Sequence, residues 1–100
     1  MRVHQRPPAF GGSDGQAYTV ATLVDEDVDR EDGARRFGAA LLFVRWSEDG
    51  DRAVGHLESE YVHFATTGDQ ALALLQALTL RQIQDHLETC IRMARAGAAP

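Results

Sequence analysis

The chain has no lysine, only one cysteine and no long hydrophobic run, and each shortage removes a class of protein from consideration. A lone cysteine, Cys90, cannot form an internal disulfide, so nothing marks the chain for an oxidising compartment. No apolar run approaches membrane-spanning length, and residues 1–10 hold no apolar leader-like stretch, so a cytoplasmic location is the expectation. All ten basic residues are arginine, against 15 aspartates and glutamates, for a net charge of −5. An acidic chain without clustered cations does not suit a general nucleic-acid binder, whose affinity comes from phosphate contacts. The pair Arg35-Arg36 comes nearest to a basic cluster. Zinc-knuckle spacing, a phosphate loop and a nucleophile elbow are all missing.

What is present is ordinary globular composition, 44% hydrophobic and 25% charged over 100 residues. A chain of this size makes one domain and buries roughly two-thirds of its unfolded surface, so its own core suffices. Residues 1–16 carry Pro7-Pro8, Gly11-Gly12 and Gly15 with little hydrophobicity, which predicts a flexible amino-terminal arm before a single domain over 17–100.

Residues 17–24 (AYTVATLV) are β-branched and aromatic and read as a strand. Residues 25–33 (DEDVDREDG) read as an acidic turn. Residues 35–46 (RRFGAALLFVRW) give the strongest strand signal, apolar on both parities, which marks a strand covered on two sides. Residues 47–51 (SEDGD) form a hairpin loop in which Gly50 takes a positive φ. Residues 52–65 return as a strand whose broken alternation requires a bulge near residues 58–60, or a split into two short strands.

From Thr66 the hydrophobic period changes from two to about 3.6. Thr67-x-x-Gln70 and Thr79-x-x-Gln82 are both capping-box signatures, so two helices are expected rather than one rod. Ala71, Leu74, Leu75 and Leu78 would face the core from the first. Leu80, Ile83, Leu87, Ile91 and Ala94 would do so from the second, with Gly97 as its stop. The predicted fold is an α+β two-layer domain, a three-stranded antiparallel β-meander followed by two carboxy-terminal helices (β-β-β-α-α).

Four residue sets could carry chemistry. His56, Glu58 and Glu60 alternate along a strand, so one imidazole and two carboxylates could converge on a divalent cation, with His63 on the other parity. Residues 25–33 offer the oxygen density of a calcium loop, but Arg30 stands where an EF-hand turn needs glycine and Arg36 where it needs the bidentate glutamate. His86 and Cys90 lie four apart on a helix, close enough for an imidazole to lower a thiol pKa, yet Cys90 borders the apolar stripe and no oxyanion donor accompanies it. Trp46, Phe43 and Tyr61 could stack bases with Arg35, Arg36, Arg45 and Arg52 on phosphates, a single-strand platform that the net charge opposes.

With no catalytic constellation, the sequence reads best as a non-enzymatic accessory or regulatory module without a cofactor. Two helices cannot cover both faces of residues 35–46. The expectation is therefore a homodimer that packs Ala40, Leu42, Val44 and Trp46 against a second copy, with Phe37, Leu41 and Phe43 under the helices. Self-association or another protein is the expected partner, not a membrane, and single-stranded nucleic-acid binding ranks as the least favoured alternative. A small-ligand or metal-binding domain using His56, Glu58 and Glu60 is the competing reading.

Overall fold

A computed structural model describes residues 9–28 and 35–98. Five strands and two helices follow in order: β1 (Phe10–Gly11), β2 (Ala17–Val28), β3 (Arg35–Trp46), β4 (Ala53–Glu58), β5 (His63–Ala65), α1 (Gly68–Gln76) and α2 (Leu80–Ala98). The strands make one antiparallel sheet in the order β1-β2-β3-β4, with β5 also paired to β3. Both helices pack on one face of it, which gives the α+β two-layer architecture expected from the sequence.

Strand β3 is paired along both sides. β2 runs against its whole length, from Ala17 opposite Trp46 to Val28 opposite Arg35. On the other side β4 meets residues 42–46 and β5 meets residues 37–39. The ladder overrides the acidic turn expected at residues 25–28. Asp25, Glu26 and Asp27 pair with Gly38, Phe37 and Arg36, because a β3 that starts at Arg35 offers backbone partners whatever the side chains are. The Arg35 guanidinium also reaches Glu26 at 3.4 Å. Residues 29–34, the remainder of the calcium-loop reading, lie outside the described residues.

The expected irregularity in the return strand is real. Ser59 N–H donates to the Leu41 carbonyl at 2.9 Å, and Leu41 N–H donates to Ser59 Oγ at 2.9 Å. Val62 N–H then donates to the Ala39 carbonyl at 2.7 Å, so pairing resumes after Glu60 and Tyr61 flare out. A second register shift falls between Arg45 and Trp46. In the hairpin that joins β3 to β4, Gly50 has φ 74° and Ser47 Oγ accepts from the backbone N–H of both Asp51 and Arg52.

Thr67 stands extended before α1, and its Oγ1 accepts from Gln70 N–H at 3.1 Å. Gln70 Oε1 accepts from the Thr66 hydroxyl rather than the Thr67 N–H, so only half the box forms there. At α2 it closes fully: Gln82 N–H donates to Thr79 Oγ1 at 3.1 Å and Thr79 N–H donates to Gln82 Oε1 at 2.8 Å. α2 runs one residue past Gly97, which lies inside the helix rather than ending it.

The core gathers Tyr18 from β2, Ala39, Leu41 and Phe43 from β3, Ala71 and Leu75 from α1, and Leu87, Cys90 and Ile91 from α2. Phe37 packs against this cluster, so the odd parity of β3 lies under the helices, as anticipated. Three residues assigned to the helical stripes depart from it, Leu74, Leu80 and Ala94, the last exposed near the end of α2. Leu74 is 39% exposed and Leu80 is 71% exposed. Leu80 opens α2 directly after its cap, before the turn that reaches the sheet.

Within the stretch expected to be an arm, residues 10–16 form β1 and a turn that α2 holds against the sheet. Gln84 Nε2 donates to the Gly11 carbonyl at 3.0 Å, and Ser13 N–H donates to Glu88 Oε2 at 3.1 Å. Below this turn Tyr18 is 1% exposed, and its hydroxyl donates to Asp14 Oδ2 at 2.7 Å. Burial, reinforced by that bond, pushes the phenol up to about 12. Residues 1–8 lie outside the described residues.

Two measurements test this frame. Thr79→Ala should lower stability in urea unfolding by about 0.5–2 kcal/mol, and no change would mean that the α2 cap is dispensable. Because the folded pKa of Tyr18 lies above its unfolded value of 10.0, its stability contribution is complete below about pH 10 and is lost as pH rises toward about 12. Tyr18→Phe should therefore be less stable near neutrality but lose less stability than wild type across that alkaline window.

Candidate functional site

The two faces of the sheet and its β4 edge differ sharply in how they are covered, and two surfaces follow from that. The first lies opposite the helices. Directly opposed residues on antiparallel strands share a face, so the register puts Ala17, Thr19, Ala21 and Leu23 of β2 beside Trp46, Val44, Leu42 and Ala40 of β3. His56 and Glu58 of β4 join the same face opposite Val44 and Leu42. Leu23, Leu42, Val44 and Trp46 are half-buried and Ala40 is buried, but none of the five belongs to the core cluster or packs against it.

The two ends of this face are fixed. At one, Trp46 Nε1–H donates to Thr19 Oγ1 at 2.8 Å. At the other, the flare at residues 60–61 carries Tyr61 back over Gly38, where a Cβ would meet the ring at 2.5 Å. Only glycine admits that approach. Tyr61 also meets Phe64 edge-on at 5.3 Å between centroids, and the Arg36 guanidinium sits 3.9 Å from the Phe64 ring centroid. Between these ends the face is a strip of small and branched apolar side chains.

The second surface is a groove of about 510 Å³ between α2 and the flared part of the β4–β5 edge. Leu57 and Val62 supply its sheet side, and Cys90 and Met93 its helix side; Met93 is 56% exposed. Glu58, Glu60, Tyr61 and His86 also line it. Its volume and mixed lining are those of an ordinary ligand site.

The groove thus brings together members of two separately expected sets, His86 with Cys90 and Glu58 with Glu60. It does not activate the thiol. Cys90 is 8% exposed, and burial pushes its pKa up, so the sulfur stays protonated at neutral pH and behaves as a small core residue. Nor do His56, Glu58 and Glu60 line up: His56 and Glu58 share the open face, while Glu60 sits in the flare, outside that alternation. His63 pairs with Ala39 and so belongs to the helix side. Among the described residues, no three His, Cys, Asp or Glu side chains are close enough to hold a metal ion.

The base-stacking platform fails at one member. Phe43 is fully buried in the core and unavailable to a ligand. Its arginines are also dispersed: Arg36 lies on Phe64, Arg35 pairs with Glu26, and Arg45 reaches across Gly55 on the helix side. Sequence reasoning missed the groove itself, because Leu57, Val62 and Met93 come together only through the register break. The broken alternation at residues 58–60 was the one signal available. No helix among the described residues is long and apolar enough to cross a membrane.

Compared with protein-family models, curated proteins and solved structures, the chain matches none.

Thiol reagents should modify Cys90 slowly in the native protein and rapidly in denaturant. Fast native labelling would contradict the burial of the thiol and return His86 and Cys90 to consideration as a reactive pair.

Proposed function

We propose that this chain is a small, non-enzymatic accessory or regulatory module that self-associates as a homodimer through the open face of its sheet. The observation that carries the reading is the strip of Leu23, Ala40, Leu42, Val44 and Trp46, which belongs to neither the core nor the helix layer. Contiguous apolar patches of several hundred Å² are seldom left uncovered on monomers and generally mark association sites. Two such sheets can stack about 10 Å apart with interdigitating side chains. A two-fold axis makes the contact self-complementary.

The ends of the strip suit that packing. Trp46 and Tyr61 are held in place by Thr19 and Gly38, so little side-chain entropy remains to be lost on association. Asp25, Arg36, His56 and Glu58 surround the strip with polar groups, the usual rim of an association surface. The buried, protonated Cys90 supports a non-enzymatic role, and a lone free thiol suits a reducing, cytoplasmic setting.

Light scattering on the purified chain, at concentrations on the order of tens of micromolar, should give twice the chain mass. Leu42→Glu places a carboxylate in the middle of the strip and should yield a soluble monomer with unchanged circular dichroism. A wild-type monomer under the same conditions would overturn the dimer.

A further inference from the structure

The β4 edge and the groove beside it form one surface whose chemistry is more restrictive than that of either part. β4 is the last strand of the sheet. Backbone groups of an antiparallel strand point alternately toward one neighbour and the other. Since Ser59 N–H bonds inward to Leu41, Leu57 turns its groups to β3 as well, and His56 and Glu58 present theirs at the outer edge. An added strand would find backbone partners there, as in strand-addition recognition.

Side-chain direction fixes what that strand must carry. On the helix side of the edge its side chains would enter the groove between Leu57, Val62, Cys90 and Met93, the apolar part of its lining. On the opposite side they would lie beside Glu58, whose side chain shares the open face with Leu42. No lysine or arginine lines the groove, while Glu58 and Glu60 both do. Arg92 stands just outside, its guanidinium held 3.2 Å from Thr89 Oγ1.

We propose that the β4 edge of this protein binds an extended peptide segment of a partner protein, with apolar side chains turned toward α2 and basic ones, at alternate positions, turned toward Glu58. The proposal goes beyond self-association and uses the backbone edge of β4 rather than the strip, with Glu58 at the border of both. A dimer stacked through the open face would leave both β4 edges free, one on each copy.

The test uses the full chain and an acetylated, amidated hexapeptide of alternating arginine and valine, followed by nuclear magnetic resonance. Saturable shifts are expected at the His56 and Glu58 amides and at the Met93 methyl. Two N-methylated versions, blocked on alternate sets of residues, report the strand pairing. Methylating the set that faces β4 should weaken binding about tenfold or more, and methylating the other set should leave it unchanged. Replacing arginine by glutamate in the peptide should abolish binding, and Glu58→Gln in the protein should weaken it by a factor of a few, as befits an exposed ion pair. Three results would overturn the proposal: no saturable shift at millimolar peptide, equal binding of both methylated peptides, or shifts confined to the outer edge of β2. Because the readout is position-specific, a failed dimer and a failed peptide site remain distinguishable.

Discussion

Strand β3 sets the terms for everything around it. Placed between β2 on one side and β4 with β5 on the other, it is paired on both sides over most of its length, and the register of each neighbour is fixed by it. Its odd residues, Phe37, Ala39, Leu41 and Phe43, demand an apolar layer, and α1 and α2 supply one. Its even residues make the same demand on the opposite face. Among the described residues Tyr61 and Phe64 answer it, toward the Gly38 end. That asymmetry is the physical source of the apolar strip on the open face.

The helix layer is itself divided by the second cap. α1 lies over β2, β3 and β5, while α2 reaches β4 and holds the β1 turn through Gln84 and Glu88. A single continuous rod could not serve both ends, so the full capping box at Thr79 is what allows the second helix to set off in its own direction. One helix end thereby governs two features far apart in sequence, the closure over Tyr18 and the wall of the groove at Cys90 and Met93.

Much of this was legible in the sequence where local chemistry and tertiary context agree. The span of β3, the two helix starts, the positive φ at Gly50 and the interruption of the return strand all follow from patterning or capping that the packing merely reinforces. Legibility failed where pairing overrode composition. Asp25, Glu26 and Asp27 look like turn residues, yet they continue β2 because β3 extends to meet them. Gly11 and Ser13 look like part of a loose arm, yet groups on α2, more than seventy positions along, bond them. The groove was invisible for a related reason. Its walls depend on which residues flare from the edge, and alternation alone indicates only that some residue must.

Ser59 has a further consequence. Its backbone and its hydroxyl together bond both polar groups of Leu41, while Val62 secures the chain again at Ala39. The two residues between are therefore bracketed by fixed points, and the strand beyond does not depend on them for its register. In evolutionary terms this is a position of tolerated change. Glu60 could be replaced without shifting a rung of the ladder, altering the wall of the groove while Tyr61 keeps its place over Gly38. A lineage could reshape the surface beside this edge by varying that residue alone.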